Sequence, residues 1–71
     1  MLNIKDFHVS DDCMFYEGIN HYYIYQQKDH YVMVVSRLID DGENTKETTY
    51  HCSGLNTAME TIELLENGAE I

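Results

Sequence analysis

The residues of this chain best suited to chemistry are four histidines and two cysteines: His8, His21, His30, His51, Cys13 and Cys52. Imidazole and thiolate are the usual zinc ligands, held at tetrahedral geometry in structural sites. The spacing supplies no Cys-x-x-Cys and no His-x-x-x-His. His51 and Cys52 are adjacent. Neighbours in a regular strand point to opposite faces, so this pair cannot share one ion. A buried thiol and several surface imidazoles are the simpler reading, and no metal is expected. Two cysteines are too few for a disulfide framework. Both are expected as free thiols, with Cys52 more protected than Cys13.

Other constellations are weaker. Asp40-Asp41-Gly42-Glu43-Asn44 is acidic but lacks the order of an EF-hand loop. Ser53-Gly54 is not a Gly-x-Ser-x-Gly elbow. The glycines are dispersed, and none opens a phosphate-cradling loop. With no nucleophile, acid–base pair or cofactor motif assembled, a non-enzymatic protein is expected, without catalytic residues or cofactor.

Charge is more informative. Thirteen carboxylates face four basic side chains, for a formal net charge of −9. Direct binding to nucleic acid or anionic lipid needs Lys and Arg against phosphate, so neither is expected. A basic protein surface is the complementary partner. Glu60, Glu63 and Glu66 succeed one another with no Lys or Arg between them, and Glu70 follows. Like charges at i,i+3 on a helix repel. Glu66 also falls near the negative end of the helix dipole, where a cation is preferred. Either this is a solvated face, or the charge is kept for a partner. On the second reading, neutralising the three glutamates weakens binding and leaves stability unchanged or slightly raised.

The elements that must position these groups follow from periodicity. Residues 20–27 are rich in β-formers, and 31–39 form the strongest strand. Residues 46–52 alternate in character, and a strand is expected near Cys13 to Tyr16, with a turn at Glu17-Gly18. Across residues 1–18 neither period dominates, and a short strand or helical turn is expected before the Cys13 to Tyr16 strand. Leu55, Ala58, Met59, Ile62, Leu65 and Ala69 recur at helical spacing. Ser53, or a capping box from Thr57 to Glu60, would start this helix, and Gly68 would stop it. The expectation is an α+β domain over residues 1–71: an antiparallel meander of three to four strands with one C-terminal helix on one face. A chain of 71 residues buries only about 60% of its unfolded surface, so a deep active-site pocket is not expected.

Turn lengths give register. A two-residue Lys28-Asp29 turn pairs Ile24 with Met33 and Tyr22 with Val35. An Asp41-Gly42 turn, a favoured type I′ pair, matches Val35 with Thr48 and Met33 with Tyr50. Tyr22, Ile24, Tyr31, Met33, Val35, Tyr50 and Cys52 then share one face, which can accept the helix, and a one-residue slip would exchange the two sets. Tyr23, Tyr25, Val32, Val34 and Leu38 share the other, with Glu47, Thr49 and His51 to one side. Monomers seldom expose large apolar patches. Either residues 1–16 close this face through Phe7 and Phe15, or another molecule covers it.

No apolar run approaches the roughly 18 residues of a membrane span. Met1 to Asp6 lacks the apolar core of a secretory leader, so a reduced, cytoplasmic setting is expected.

In size, acidity and sheet-plus-helix pattern the chain resembles small phage-encoded inhibitors of host enzymes. These include anti-CRISPR proteins and DNA-mimic inhibitors of uracil-DNA glycosylase. The resemblance rests on composition, on Asp40-Asp41-Gly42-Glu43 and on the Glu60, Glu63, Glu66 ridge. It implies an inhibitor in the host cytoplasm, set against a nuclease or other nucleic-acid-binding enzyme. Asp40, Asp41, Glu43, Glu60, Glu63 and Glu66 would meet the basic surface, and Tyr23 and Tyr25 would anchor it. Two other readings stand beside it: a homodimeric structural or accessory domain, and an antitoxin of a basic toxin.

Overall fold

The computed structural model describes residues 2–39 and 44–68. Five strands form one antiparallel sheet in sequence order: β1 (His8–Val9), β2 (Cys13–Glu17), β3 (His21–Gln26), β4 (Tyr31–Ile39) and β5 (Asn44–Cys52). A single helix, α1 (Leu55–Glu66), follows. A 3-10 turn at Ile4–Asp6 precedes β1, capped reciprocally by Asn3 and Asp6.

The strand count of five corrects the expected three to four. The additional strand is β1, whose two residues pair as His8 with Phe15 and Val9 with Met14. Two residues cannot display a period, so this strand exists through its hydrogen bonds to β2 rather than through any pattern of its own.

The remaining register follows the turn lengths. Ile24 lies opposite Met33 and Tyr22 opposite Val35. Val35 lies opposite Thr48 and Met33 opposite Tyr50. The β3–β4 turn closes with the Gln27 amide donating to the His30 carbonyl at 2.8 Å, leaving Lys28 and Asp29 at its tip. The tip residues Asp40, Asp41, Gly42 and Glu43 of the β4–β5 hairpin lie outside the described residues.

Helix α1 buries Ala58, Ile62 and Leu65, one stripe at helical spacing. It packs on the face formed by Tyr22, Ile24, Met33, Val35 and Cys52, and Phe7 closes one end. The helix begins otherwise than expected. Gly54 is its N-cap, with no side-chain cap, and Ser53 Oγ instead lies 3.4 Å from Thr57 Oγ1. Extended backbone at Gly54 suits a cap, and glycine loses only a few tenths of a kcal/mol against serine there. The helix ends as expected: Gly68 has a φ of 102°, and its amide donates to the Leu65 carbonyl at 3.2 Å. Ala69 and Glu70 lie outside the described residues. Among the described residues no helix is long and apolar enough to cross a membrane.

Candidate functional site

Among the described residues, the sheet has one covered face and one open face. Every fully buried strand side chain lies on the helix side. Opposite, Phe15, Tyr23, Val32 and Val34 are half-buried, Tyr25 is exposed and Leu38 is 60% exposed. Phe7 and Phe15 do not close this face. Phe7 stacks at 5.3 Å on Tyr16, on the helix side. Phe15 belongs to the open face itself, because it pairs with Tyr23. Leu2 and Phe7 instead pack against the helix-side core, where their apolar surface leaves water.

Phe15 is the hub of a ring cluster on the open face. Its ring lies 5.0 Å from Tyr23, 6.2 Å from His8 and 5.9 Å from His21. His21 Nε2 also approaches Glu17 at 3.0 Å. At the other end His30 lies 5.5 Å from His51 and 2.7 Å from Asp29, whose carboxyl that contact holds below the usual range. Strand parity places His8, His21 and His51 on this one face. Tyr23 and Tyr25 are where the sequence put them. Phe15 and the histidine ring were missed as a group, although parity applied to His21 and His51 would have found part of it.

The acidic helix ridge is divided. Glu60 is exposed. Glu63 accepts the Leu2 amide at 2.6 Å, pinning the N-terminal segment. Glu66 accepts the Ile19 amide at 2.9 Å, the Asn20 amide at 3.4 Å and the Tyr22 hydroxyl at 2.6 Å. The Tyr22 hydroxyl also receives Asn20 Nδ2 at 3.0 Å, and Arg37 Nε donates to Asn20 Oδ1 at 3.0 Å. Asn20 is 1% exposed, and no buried side-chain polar atom among the described residues lacks a partner. Burial, then the Glu66 carboxylate, pushes the Tyr22 hydroxyl pKa well above its ordinary value.

Glu66 therefore stands against the helix dipole because it ties the β2–β3 turn to the helix end. Gly18 completes the clamp: a Cβ there would collide with the Glu66 carboxylate. The expectation that neutralising the whole ridge spares stability is corrected for Glu63 and Glu66. Hydrogen bonds to a charged group contribute about 1.5–3 kcal/mol each, more than the few tenths lost to like-charge repulsion. Of the six proposed acidic contacts, Glu60 is left as a free carboxylate, while Asp40, Asp41 and Glu43 lie outside the described residues.

No three His, Cys, Asp or Glu side chains converge into a metal site among the described residues. Cys52 is buried and its thiol pKa is raised by burial, whereas Cys13 is half-buried. On the helix side a groove of about 260 Å³ opens beside Val9, Met14, Tyr31 and Leu55, with Asp11 and Asp12 at its rim. Pockets for drug-sized ligands begin near roughly 300 Å³, so this groove suits a single side chain.

Comparison with known protein families, with curated proteins and with solved structures returns no match.

Proposed function

We propose that this chain is a non-enzymatic binding protein that docks its open sheet face on a basic protein surface. The favoured partner class is a nuclease or other nucleic-acid-binding enzyme, whose phosphate-binding surface the chain would occupy and so inhibit. The observation that carries this reading is the uncovered face of Phe15, Tyr23, Val32 and Val34 on a chain of net charge −9. An apolar centre supplies contact area, and aromatic residues are frequent interface anchors. The excess carboxylates steer encounter with a cationic surface.

Charge complementarity favours a basic partner over a second copy. Two copies meeting face to face would bring together chains of −9 each, with Glu17 and Glu47 at both faces.

Capture from lysate at low and high salt tests the reading, using wild type, a Tyr23→Ser/Val34→Ser variant and a Glu60→Gln variant. Support is a basic protein whose binding weakens with salt and is lost in the face variant while the fold persists. Equal capture by wild type and face variant would sink the proposal. So would a wild-type dimer in sedimentation that the face variant abolishes, since the face would then serve self-association.

A further inference from the structure

All four histidines gather on the open side of the sheet. His8 pairs with Phe15, His21 with Glu17 and His51 with Val32, all on that face, and the His30 ring lies against His51. No histidine faces the helix. The strand cations are on the other side: Arg37 pairs with Lys46 in the helix-face register, and Arg37 binds Asn20 there. Among the described strand residues, the fixed charges of the open face are Glu17 and Glu47.

We infer that protonation of these four histidines reverses the charge of the docking face and releases a basic partner, so that docking is gated by pH. This rests on the docking reading above. With neutral imidazoles the face is acidic and complements Lys and Arg. With charged imidazoles, four cations stand against two carboxylates. The adjoining Lys28 and Asp29 offset one another and do not change the sign. Imidazole is the side chain whose ordinary titration falls between about pH 5 and 8, while carboxylates stay ionised down to about pH 4. The gate therefore turns on the imidazoles, with Glu17 and Glu47 as the carboxylates beside them.

The position of the histidines makes the effect local. His8 and His21 both touch Phe15, the centre of the proposed contact. A partner seated there would desolvate a new cation beside its own, which is costly unless the charge is paired. Glu17 faces His21 and Asp29 faces His30, so two of the four have a carboxylate close by. Among the described strand residues, Cys13, Tyr23, Tyr25 and Glu47 are the other titratable groups on this side. No Lys or Arg of the described strands is among them.

The probe is a synthetic peptide of alternating arginine and leucine, titrated into the full chain at about pH 8 and about pH 5.5, either side of most of the imidazole range. Amide resonances report where it binds, at fixed ionic strength. The free protein's spectrum at each pH supplies the folded reference. At the higher pH, resonances of Phe15, Tyr23 and Val34 are expected to shift. Affinity is expected to fall by about tenfold or more at the lower pH, as like charge at an interface demands. His8→Gln/His21→Gln and His30→Gln/His51→Gln should each lose part of that pH dependence. His8 and His51 are exposed, and the side chains of His21 and His30 are 39% and 37% exposed, so these variants are expected to fold. Wild-type binding that ignores pH, or full pH dependence retained in both variants, overturns the gate and leaves docking standing. Absence of shifts on the open face at either pH overturns the docking reading itself.

Discussion

The two faces of this sheet are built from the same strands and differ in what they ask of their side chains. On the helix face, Tyr22, Ile24, Met33 and Val35 are almost fully buried against α1, and the polar groups among them are hydrogen-bonded. On the open face, aromatic and aliphatic side chains remain half-exposed, with His8 and His21 beside Phe15 and His30 beside His51. The first arrangement is that of a core, where removing atoms leaves a cavity. The second is that of an interface, where contact with another molecule decides the energy. Substitutions that separate the faces test this contrast directly.

The largest expected effect is at Ile62, which is fully buried. Ile62→Ala should destabilise the domain by about 2–4 kcal/mol, whereas Val34→Ala on the open face should cost less than about 1 kcal/mol. Denaturant melts of both compare the faces, and equal losses would erase the distinction.

Next comes the clamp at the helix end. Glu66→Ala should cost about 2–3 kcal/mol, because the Ile19 and Asn20 amides and the Tyr22 hydroxyl lose a charged acceptor together. Glu60→Ala, on the same helix but exposed, should stay within about 0.5 kcal/mol. The same melts decide it. A harmless Glu66→Ala would return the ridge to the partner.

Tyr22→Phe should cost about 1–2 kcal/mol at neutral pH, since Asn20 and Glu66 both lose the hydroxyl. It should also change the alkaline limb. The fold holds Tyr22 protonated beyond its ordinary range, while an unfolded tyrosine ionises near about pH 10. Unfolding then releases a proton, so this contribution is complete below about pH 10 and is lost as the pH rises through the higher folded value. Melts at about pH 9 and pH 11 should show a smaller fall in Tyr22→Phe than in wild type.

The smallest effect concerns exposure alone. Thiol labelling of the native protein should reach half-buried Cys13 before buried Cys52. Faster labelling of Cys52 would mean that the helix lifts from the sheet more readily than its packing implies.

How far these contrasts could be read beforehand differs from residue to residue. Tyr22 and Tyr23 were separable because alternation along a strand is geometric and the Lys28-Asp29 turn left no freedom in the pairing of β3 with β4. Ile62 was legible from the helical spacing of its apolar neighbours. Glu66 was misread because local rules see only the dipole and the neighbouring glutamates, while its partners lie 44–47 residues away in sequence. Phe7 was misplaced because it precedes β1, a strand too short to carry a period, whose register depends on β2.

What the sequence determined by itself was therefore the part set by short-range geometry. Alternation, turn length and helical spacing chose the element order, the register of β3 with β4 and which strand side chains share a face. The charge of −9 limited the partners without reference to any fold. Tertiary structure alone decided which acidic groups are free. Glu63 and Glu66 became clamps because folding brings Leu2, Ile19 and Asn20 amides against the helix, and a hydrogen bond to an ionised acceptor outweighs weak repulsion along it. It also decided that the N-terminal segment packs on the helix side and, among the described residues, leaves the other face open. That choice follows from where Leu2 and Phe7 find the most apolar surface to bury, which no local pattern records.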